Sequence, residues 1–387
     1  MKCMHIGGQE SVTITLANYF ASKGHNISIA SFEKPWDDAV KRTNSSIHFY
    51  TIGDFNYSSK NVQRLSNILI EEKIDIVINQ WGLPYIPAKV LKQSIKKSKL
   101  NIKSIAVYHN DPYMNARITD VDIALHSCKN PLKKLVLLIK RALFKKITSQ
   151  SMRYVYYNSD QYQVLSPSHI EHFKSFTGIK NPNHIFTQAN PLTIDSDVFD
   201  YQFENKKKEI IYCGRIDFNQ KRVHRVIETW SLLEDRFPEW KLLIIGDGES
   251  RKDIEQLANS LHLKHVYFEG FQDPVKYYKQ ATILLLTSEY EGFGLVLVEG
   301  MNYGVIPCVY GSFSAVHDII ENDKNGIIVE KDEFGNFSAE KMAHKVASIM
   351  SNEDKQRKMA LAAIEKSKMY SKDTIYKQWM DNLHRLT

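Results

Sequence analysis

Two carboxylates and two cations sit at spacings that could do chemistry on a polar ligand. In SEYEGFGLVLVEGMNYG (288–304), Glu291 and Glu299 stand eight residues apart, and Gly292 and Gly294 follow the first acid directly. The apolar run ATILLLTS (281–288) reads as a strand ending just before Glu291, so the glycines mark a strand-to-helix turn. Glu291 then lies on that turn and Glu299 one to two turns into the helix, and the two need not act as an acid/base pair. In GRIDFNQKR (214–222), Arg215 comes immediately after a strand and Lys221 near the start of the next helix. A guanidinium fork, a compact ammonium and helix-start N–H donors together suit a diphosphate. A solvated basic loop is the plainer alternative.

Three further positions face the same test. Gly7 and Gly8 precede the first helix, where glycine lets backbone approach a ligand and the helix start supplies donors; a simple tight turn explains them equally well. His109 closes the strand KSIAVYH (103–109) in front of a polar, proline-containing turn, placing it at a carboxyl strand edge. A structural histidine bonded to backbone is the alternative. KLLIIGDGES (241–250) opens like a dinucleotide fingerprint, but Arg251 occupies the third glycine position and Asp247 would oppose a pyrophosphate, which argues against hydride transfer. The histidine pairs of HIEH (169–172) and HLKH (262–265) lack further ligands in register and read as surface. No zinc-protease, nucleophile-elbow or Walker motif occurs, and four scattered cysteines suggest neither a disulfide framework nor a metal site.

The elements that must position these residues alternate between buried strands and helices. NISIASF (26–32), IDIVINQ (74–80), KSIAVYH and the region 154–168 read as strands in the first half. EIIYCG, KLLIIGDG, HVYFEG, ATILLLTS and VIPCVYG follow in the second. A short strand is expected before Gly7, and SVTITLANYFASKG reads as a helix with Ser11 at its start and Gly24 at its end. Strands apolar on both faces, alternating with helices, imply parallel sheets covered by helices. The pattern runs twice, so two doubly wound α/β domains are expected, 1–190 and 191–387.

At 387 residues, with 43% hydrophobic and 25% charged content, the chain is that of a globular protein of about two domains. It shows no apolar run of membrane-spanning length and no signal-peptide pattern, which points to a cytoplasmic chain. The net charge of +7 is unevenly placed: residues 1–190 hold 25 Lys and Arg against 13 Asp and Glu, the remainder 26 against 31. PLKKLVLLIKRALFKKI (131–147) carries Leu132, Leu135, Val136, Ile139, Leu143 and Ile147 at helical spacing, with lysines mainly on other faces. Such a helix fits adsorption to an anionic membrane, or packing on its own domain with a basic outer face. No nucleic-acid-binding motif accompanies the basic charge, so a nucleic-acid partner is not expected.

Taken together, these residues resemble the GT-B glycosyltransferases, specifically the retaining family 4 that includes many bacterial surface-polysaccharide enzymes. The resemblance rests on Gly214-Arg215 with Lys221, on the two glutamates within EGFGLVLVEGMNYGVIPCV, and on DIIENDKNGIIV (318–329). It is strongest over 209–330, and weaker in GGQESVTITLANYFASKGHNISI and at NPL (190–192). It implies a GT-B α/β fold of two Rossmann-like, doubly wound domains facing across a cleft. The first would bind the acceptor and the second the nucleotide sugar, with the last helix crossing back. Arg215 and Lys221, beside Gly214, would hold the donor diphosphate and stabilise the departing nucleotide. Glu291 would meet hydroxyls of the transferred sugar, Gly292 and the backbone donors of Phe293, Gly294 and Leu295 would lie against sugar or phosphate, and Glu299 would accept from the ribose.

The same resemblance places His109 at the family's active-site histidine and Gly7 and Gly8 against the diphosphate. No cofactor and no catalytic metal is implied. The expected reaction moves a sugar, most simply from a UDP donor, to a glycan or lipid-linked acceptor in lipopolysaccharide or capsule assembly. Two rivals are a non-transferring enzyme of the same fold, such as a 2-epimerase, and a non-catalytic membrane-bound partner. The intact set of Arg215, Lys221, Glu291 and Glu299 argues against the second.

Overall fold

The computed structural model describes residues 2–4, 7–194, 201–333 and 335–386. The chain divides into two compact units, Met1–Pro191 with Lys372–Thr387, and Leu192–Ser371. In the first unit the strands are β1 (Ser28–Ser31), β2 (His48–Thr51), β3 (Ile76–Asn79), β4 (Lys103–Tyr108), β5 (Gln161–Val164) and β6 (Ile185–Thr187). They form two parallel sheets, β1-β2 and β3-β4-β5-β6. In the second, β7 (Lys207–Cys213), β8 (Lys241–Ile245), β9 (Val266–Gly270), β10 (Ala281–Leu286), β11 (Ile306–Tyr310) and β12 (Ile327–Val329) make one parallel sheet. Its order is β12-β11-β10-β7-β8-β9, the doubly wound arrangement in which the strand direction of travel reverses between β7 and β10.

The chemistry of the second unit explains its sheet. The strands β10 and β11 are buried along their whole length, because aliphatic runs with no alternation must be covered on both faces. Trp230, Trp240, Tyr212 and Met342 pack into that core. In the first unit, the helix Gly8–Ser22 buries Val12, Ile14, Leu16 and Phe20. The last helix, Lys372–Leu386, belongs to the same unit, with Trp379 6.3 Å ring to ring from Phe20 and Tyr376 Oη 3.0 Å from His25 Nε2.

Several local expectations are corrected. Ser11 caps nothing: Gly7 is the N-cap in extended conformation, and Ser11 N–H donates to the Gly7 carbonyl at 2.8 Å from inside the first turn. Gly24 does take the left-handed conformation past the helix end, at φ 89°. Residues 154–157, expected in a strand, finish the 27-residue helix Pro131–Tyr157, and only 161–164 pair in the sheet. The tyrosines and valine of YVYY favour strands in isolation, but Val155 and Tyr156 instead anchor that long helix to the core. The short strand expected before Gly7 falls partly on residues 5 and 6, outside the described residues; residues 2–4 run alongside 33–36 instead. The strands β2, β6 and β12 are only three or four residues long and carry no run strong enough to announce them.

The helix Pro131–Tyr157 resolves one open alternative. Leu137, Arg141, Phe144, Thr148 and Met152 are the side chains turned toward the unit, Arg141 bonding Asp122 through Nη2 at 3.3 Å. Leu132, Leu135, Val136, Ile139, Leu143 and Ile147 are 47–75% exposed. The apolar stripe does not pack internally.

Candidate functional site

The ends of β7 and β10 carry most of the chemistry in the second unit. They are neighbours across the reversal of the sheet, where a doubly wound fold opens a crevice. Gly214 leaves β7 at φ 151°, a conformation that strains any side-chain-bearing residue. Behind it stands the GDG turn: a Cβ on Gly246 would lie 1.9 Å from the Gly214 carbonyl oxygen, and one on Gly248 2.2 Å from that of Ile216. The GDG glycines are therefore explained by two loops in backbone contact, with Ile216 N–H donating to the Asp247 carbonyl at 2.9 Å. Asp247 faces Arg251 at 3.5 Å.

The loop after Gly214 is folded around Asp217. This carboxylate is buried, accepts from the backbone N–H groups of Gln220 and Lys221 at 2.6 and 3.1 Å, and lies 2.9 Å from Arg215 Nε. Arg215 also donates to the Gln220 side chain at 2.9 Å, yet its side chain remains 61% exposed. A guanidinium braced on two sides and open on the rest is pre-organised for an external anion.

Lys221 reaches across to the β10 loop. Its Nζ lies 2.6 Å from Glu291 Oε1, which also accepts from the Ser288 hydroxyl at 2.7 Å. Backbone bonds tie the loops further, Glu289 N–H donating to the Gln220 carbonyl at 2.7 Å. Glu291 is on the turn, outside the helix, which runs from Leu295 to Asn302 behind Gly294 at φ 88°. The first N–H groups of any helix have no intrahelical acceptor, so this start offers donors beside Glu291. The Phe293 side chain is buried against Tyr370, rings 5.5 Å apart, so only its backbone is available to a ligand. Gly292 and Leu295 are partly accessible.

Glu299, the fifth residue of that helix, is buried and accepts from the hydroxyls of Thr193 and Tyr278, the latter at 3.3 Å. Burial raises its carboxyl pKa, and the two hydroxyl donors oppose that rise. Thr193 and Tyr278 were not singled out in the sequence; a threonine after NPL and a tyrosine in DPVKYY carry no motif.

The candidates of the first unit are placed separately. His109 follows β4, and its Nε2 lies 2.7 Å from the side-chain oxygen of Gln80 at the end of β3. Loss of water around the imidazole pushes its pKa down to about 4, so it is neutral at pH 7. Gly7 and Gly8 stand at the start of the helix Gly8–Ser22. HIEH is not a surface pair: His169 is fully buried, and His172 Nδ1 lies 2.7 Å from Asp111, itself buried two residues beyond His109. The ring of Tyr113 stands edge-on to His172 at 5.2 Å, so this group braces the loop that follows His109. Periodicity hid it, because Asp111 and His172 meet only through the fold. Among the described residues no helix is long and apolar enough to cross a membrane.

Comparison with known proteins completes the picture. Residues 6–187 match the family described as Glycosyltransferase Family 4, and residues 193–366 match Glycosyl transferases group 1. The chain is 23% identical over 383 residues to the GalNAc-alpha-(1->4)-GalNAc-alpha-(1->3)-diNAcBac-PP-undecaprenol alpha-1,4-N-acetyl-D-galactosaminyltransferase of Campylobacter jejuni, covering 97% of this chain and 95% of that protein. Among solved structures it resembles the lipopolysaccharide outer core galactosyltransferase WaaB in its apo form, with TM-score 0.70, 19% identity and 100% of both chains covered. It also resembles Anabaena Alr3699/HepE in complex with UDP and glucose, with TM-score 0.73, 14% identity, and 100% and 98% covered. Two Rossmann-like units, the paired loops at the end of β7 and β10, and both family matches agree: the chain belongs to the group 1, family 4 type of GT-B glycosyltransferases.

Proposed function

We propose that this glycosyltransferase transfers a hexose-type sugar, with retention of anomeric configuration, from a UDP donor to a glycan or lipid-linked acceptor of a surface polysaccharide. The observation that carries the donor half is the Lys221–Glu291 pair at 2.6 Å beside the braced, open guanidinium of Arg215. In this reading Arg215 and Lys221 receive the diphosphate, and their charge stabilises the nucleotide as it departs. The backbone at Phe293, Gly294 and Leu295 completes the cradle. Glu291, released in part from Lys221 by the arriving phosphate, accepts from hydroxyls of the sugar. Glu299 exchanges hydroxyl partners for those of the ribose. From the first unit, neutral His109 serves as a hydrogen-bonding group near the reacting sugar, with Gly7 and Gly8 against the diphosphate. These two cations supply the positive charge, so the reading calls for no metal or other cofactor.

The acceptor half rests on the exposed helix. At 100° per residue, Leu132, Leu135, Val136, Ile139, Leu143 and Ile147 centre on one outward line. Lys133 and Lys140 flank it on one side and Lys146 falls within it, whereas Lys134 and Lys145 lie on the far side of the helix. An apolar stripe bordered by Lys133 and Lys140 and carrying Lys146 matches the interface of an anionic bilayer, with apolar side chains in the acyl region and ammonium groups among phosphates. Lipopolysaccharide or capsule precursors on the cytoplasmic face of the plasma membrane would meet an enzyme so attached. The named relatives support this direction: one acts on an undecaprenol-linked glycan and one in lipopolysaccharide outer core assembly, by their names.

A thermal-shift screen against UDP, GDP and ADP sugars tests the donor class, since a ligand that binds only the folded state raises its apparent stability. Stabilisation by UDP sugars alone is expected, and stabilisation by another nucleotide class alone would replace the donor assignment. The anomeric configuration of the product, read by NMR, tests retention.

A further inference from the structure

Exposed aromatic rings line one edge of the first unit. Trp36, Tyr57, Tyr85 and Tyr113 come five or six residues after the ends of β1, β2, β3 and β4, one ring for each strand. Each stands at or just before the start of the next helix, at the carboxyl end of its sheet, where open α/β folds bind their ligands. All four are 37–58% exposed. Among the described residues of this unit, Tyr157 is the one other exposed Trp, Tyr or Phe. It precedes β5, at the opposite, amino end of the sheet.

Single exposed aromatics scattered over a surface are ordinary. A ring at the matching place on four successive strand loops is not scatter, since each ring left in water forgoes a large apolar burial. The second unit is built differently. Among its described residues only the loop after β9 exposes such a ring, Phe271, and the loops after β7 and β10 carry Arg215, Lys221 and Glu291 instead.

The rings are held in place. Lys89 Nζ lies 4.0 Å from the centre of the Tyr57 ring and 5.3 Å from that of Tyr85, so the rings that follow β2 and β3 meet over one ammonium. Tyr85 also packs on Tyr154 at 4.5 Å. Tyr113 shares a hydrogen bond with the Ser175 hydroxyl, stands edge-on to Phe176 at 5.6 Å, and has Lys145 Nζ 5.7 Å from its centre. Both ammonium groups are drawn to the negative ring faces, and among the described residues neither is paired with a carboxylate.

A pyranose carries C–H bonds on its faces and hydroxyls around its rim, so it stacks on an exposed ring while its hydroxyls keep their water. Neighbouring strands stand about 4.8 Å apart, comparable with the length of one sugar residue in a chain. One ring per strand therefore matches a glycan of several residues laid along the strand ends. The charge agrees, with 25 Lys and Arg against 13 Asp and Glu in residues 1–190.

We infer that Trp36, Tyr57, Tyr85 and Tyr113 are a stacking platform for successive sugars of an anionic acceptor glycan, with Lys89 and Lys145 meeting its carboxylate or phosphate groups, an assignment that rests on the acceptor half of the function proposed above. Long acceptors then bind more tightly than short ones.

Binding of the intact chain to an array of neutral, uronate-bearing and phosphate-bearing oligosaccharides of increasing length tests this. Acidic members should be held, more tightly as they lengthen. Trp36→Ala, Tyr57→Ala, Tyr85→Ala and Tyr113→Ala should each weaken that binding about 3- to 10-fold at unchanged Tm. Tyr57→Phe and Tyr85→Phe, which keep the rings, and Tyr157→Ala, off the edge, should bind as wild type does. Lys89→Gln and Lys145→Gln should weaken the acidic members alone, and the uronates or the phosphates, whichever respond, identify the anion. Wild-type binding by all four alanine variants overturns the platform alone, whereas a wild-type chain that holds no member of the array fails the acceptor reading as well. Loss of flotation with anionic vesicles by the alanine variants, with glycan binding intact, assigns the rings to the bilayer and also overturns the platform.

Discussion

Lys221 and Glu291 are 70 residues apart in the chain, and their charged atoms meet at 2.6 Å over the adjacent ends of β7 and β10. Each is largely shielded from water, so each depends on the other. Lys221→Ala leaves a buried carboxylate held by Ser288 alone, and a stability loss of about 1–3 kcal/mol is expected in urea unfolding. Transfer by the same variant, and by Glu291→Ala, should fall about 100- to 1,000-fold. Unchanged transfer by both folded variants would remove this pair from the donor site.

Arg215 is predicted to behave differently. Its side chain is mostly exposed, so Arg215→Lys and Arg215→Ala should unfold at the wild-type denaturant midpoint. Donor KM should rise about 10-fold or more for both, because an ammonium cannot reproduce the planar fork held by Asp217 and Gln220. Full activity in the lysine variant would show that charge alone suffices.

His109 makes the fold sensitive to acid. Its pKa is about 4 in the folded chain and about 6.5 in the unfolded one, so between these values the unfolded state binds the extra proton. The stability it contributes is complete above pH 6.5 and is lost as pH falls toward 4. His224 is pushed down to about 4 as well, chiefly by burial and then by Arg225 and Arg222, and adds to the same window. His109→Gln should flatten, without abolishing, the decline in unfolding free energy measured between pH 7 and 4. A profile identical to wild type would contradict a neutral, desolvated imidazole.

The exposed helix separates adsorption from folding. Replacing Leu135, Val136, Ile139 and Leu143 by serine should leave Tm nearly unchanged, since these side chains are exposed already. Flotation with anionic vesicles should be lost. Neutralising Lys133, Lys140 and Lys146 should weaken it about 100-fold, at about 1 kcal/mol for each lysine near the surface. Undiminished flotation of both variants would dismiss the membrane reading.

Gly246→Ala tests the backing of the β7 loop. The added methyl would collide with the Gly214 carbonyl, and a loss of about 1–3 kcal/mol is expected, with donor affinity falling as Arg215 is displaced. A stable variant with normal affinity would show that the two loops can separate at no cost.

The second unit was the more legible one. Its strands are five to seven residues long where they matter, aliphatic on both faces, and each ends in residues that stand out by type: Gly214-Arg215, Gly246-Asp247-Gly248, Glu291-Gly292. The pairing of Lys221 with Glu291 was not legible, because it arises from the order of strands in the sheet and leaves no spacing in the chain. Asp217 was invisible for a related reason: a single aspartate in a loop says nothing until three groups converge on it. In the first unit, HIEH misled because histidines three apart look solvated when their partner, Asp111, comes from another strand end. The 131–147 helix was read correctly as amphipathic, but its periodicity could not tell which face the rest of the unit would leave open.

The helix Lys372–Leu386 makes the first unit discontinuous in the chain, since residues 192–371 intervene. Its Trp379 and Tyr376 close over Phe20 and His25, which are made some 350 residues earlier. During synthesis the second unit can finish folding while Phe20 still lacks its cover, so the first-made part of this protein is the last to mature. A ribosome stalled before Lys372 would release a chain with a complete second unit and an unfinished first one, a species for quality control to recognise.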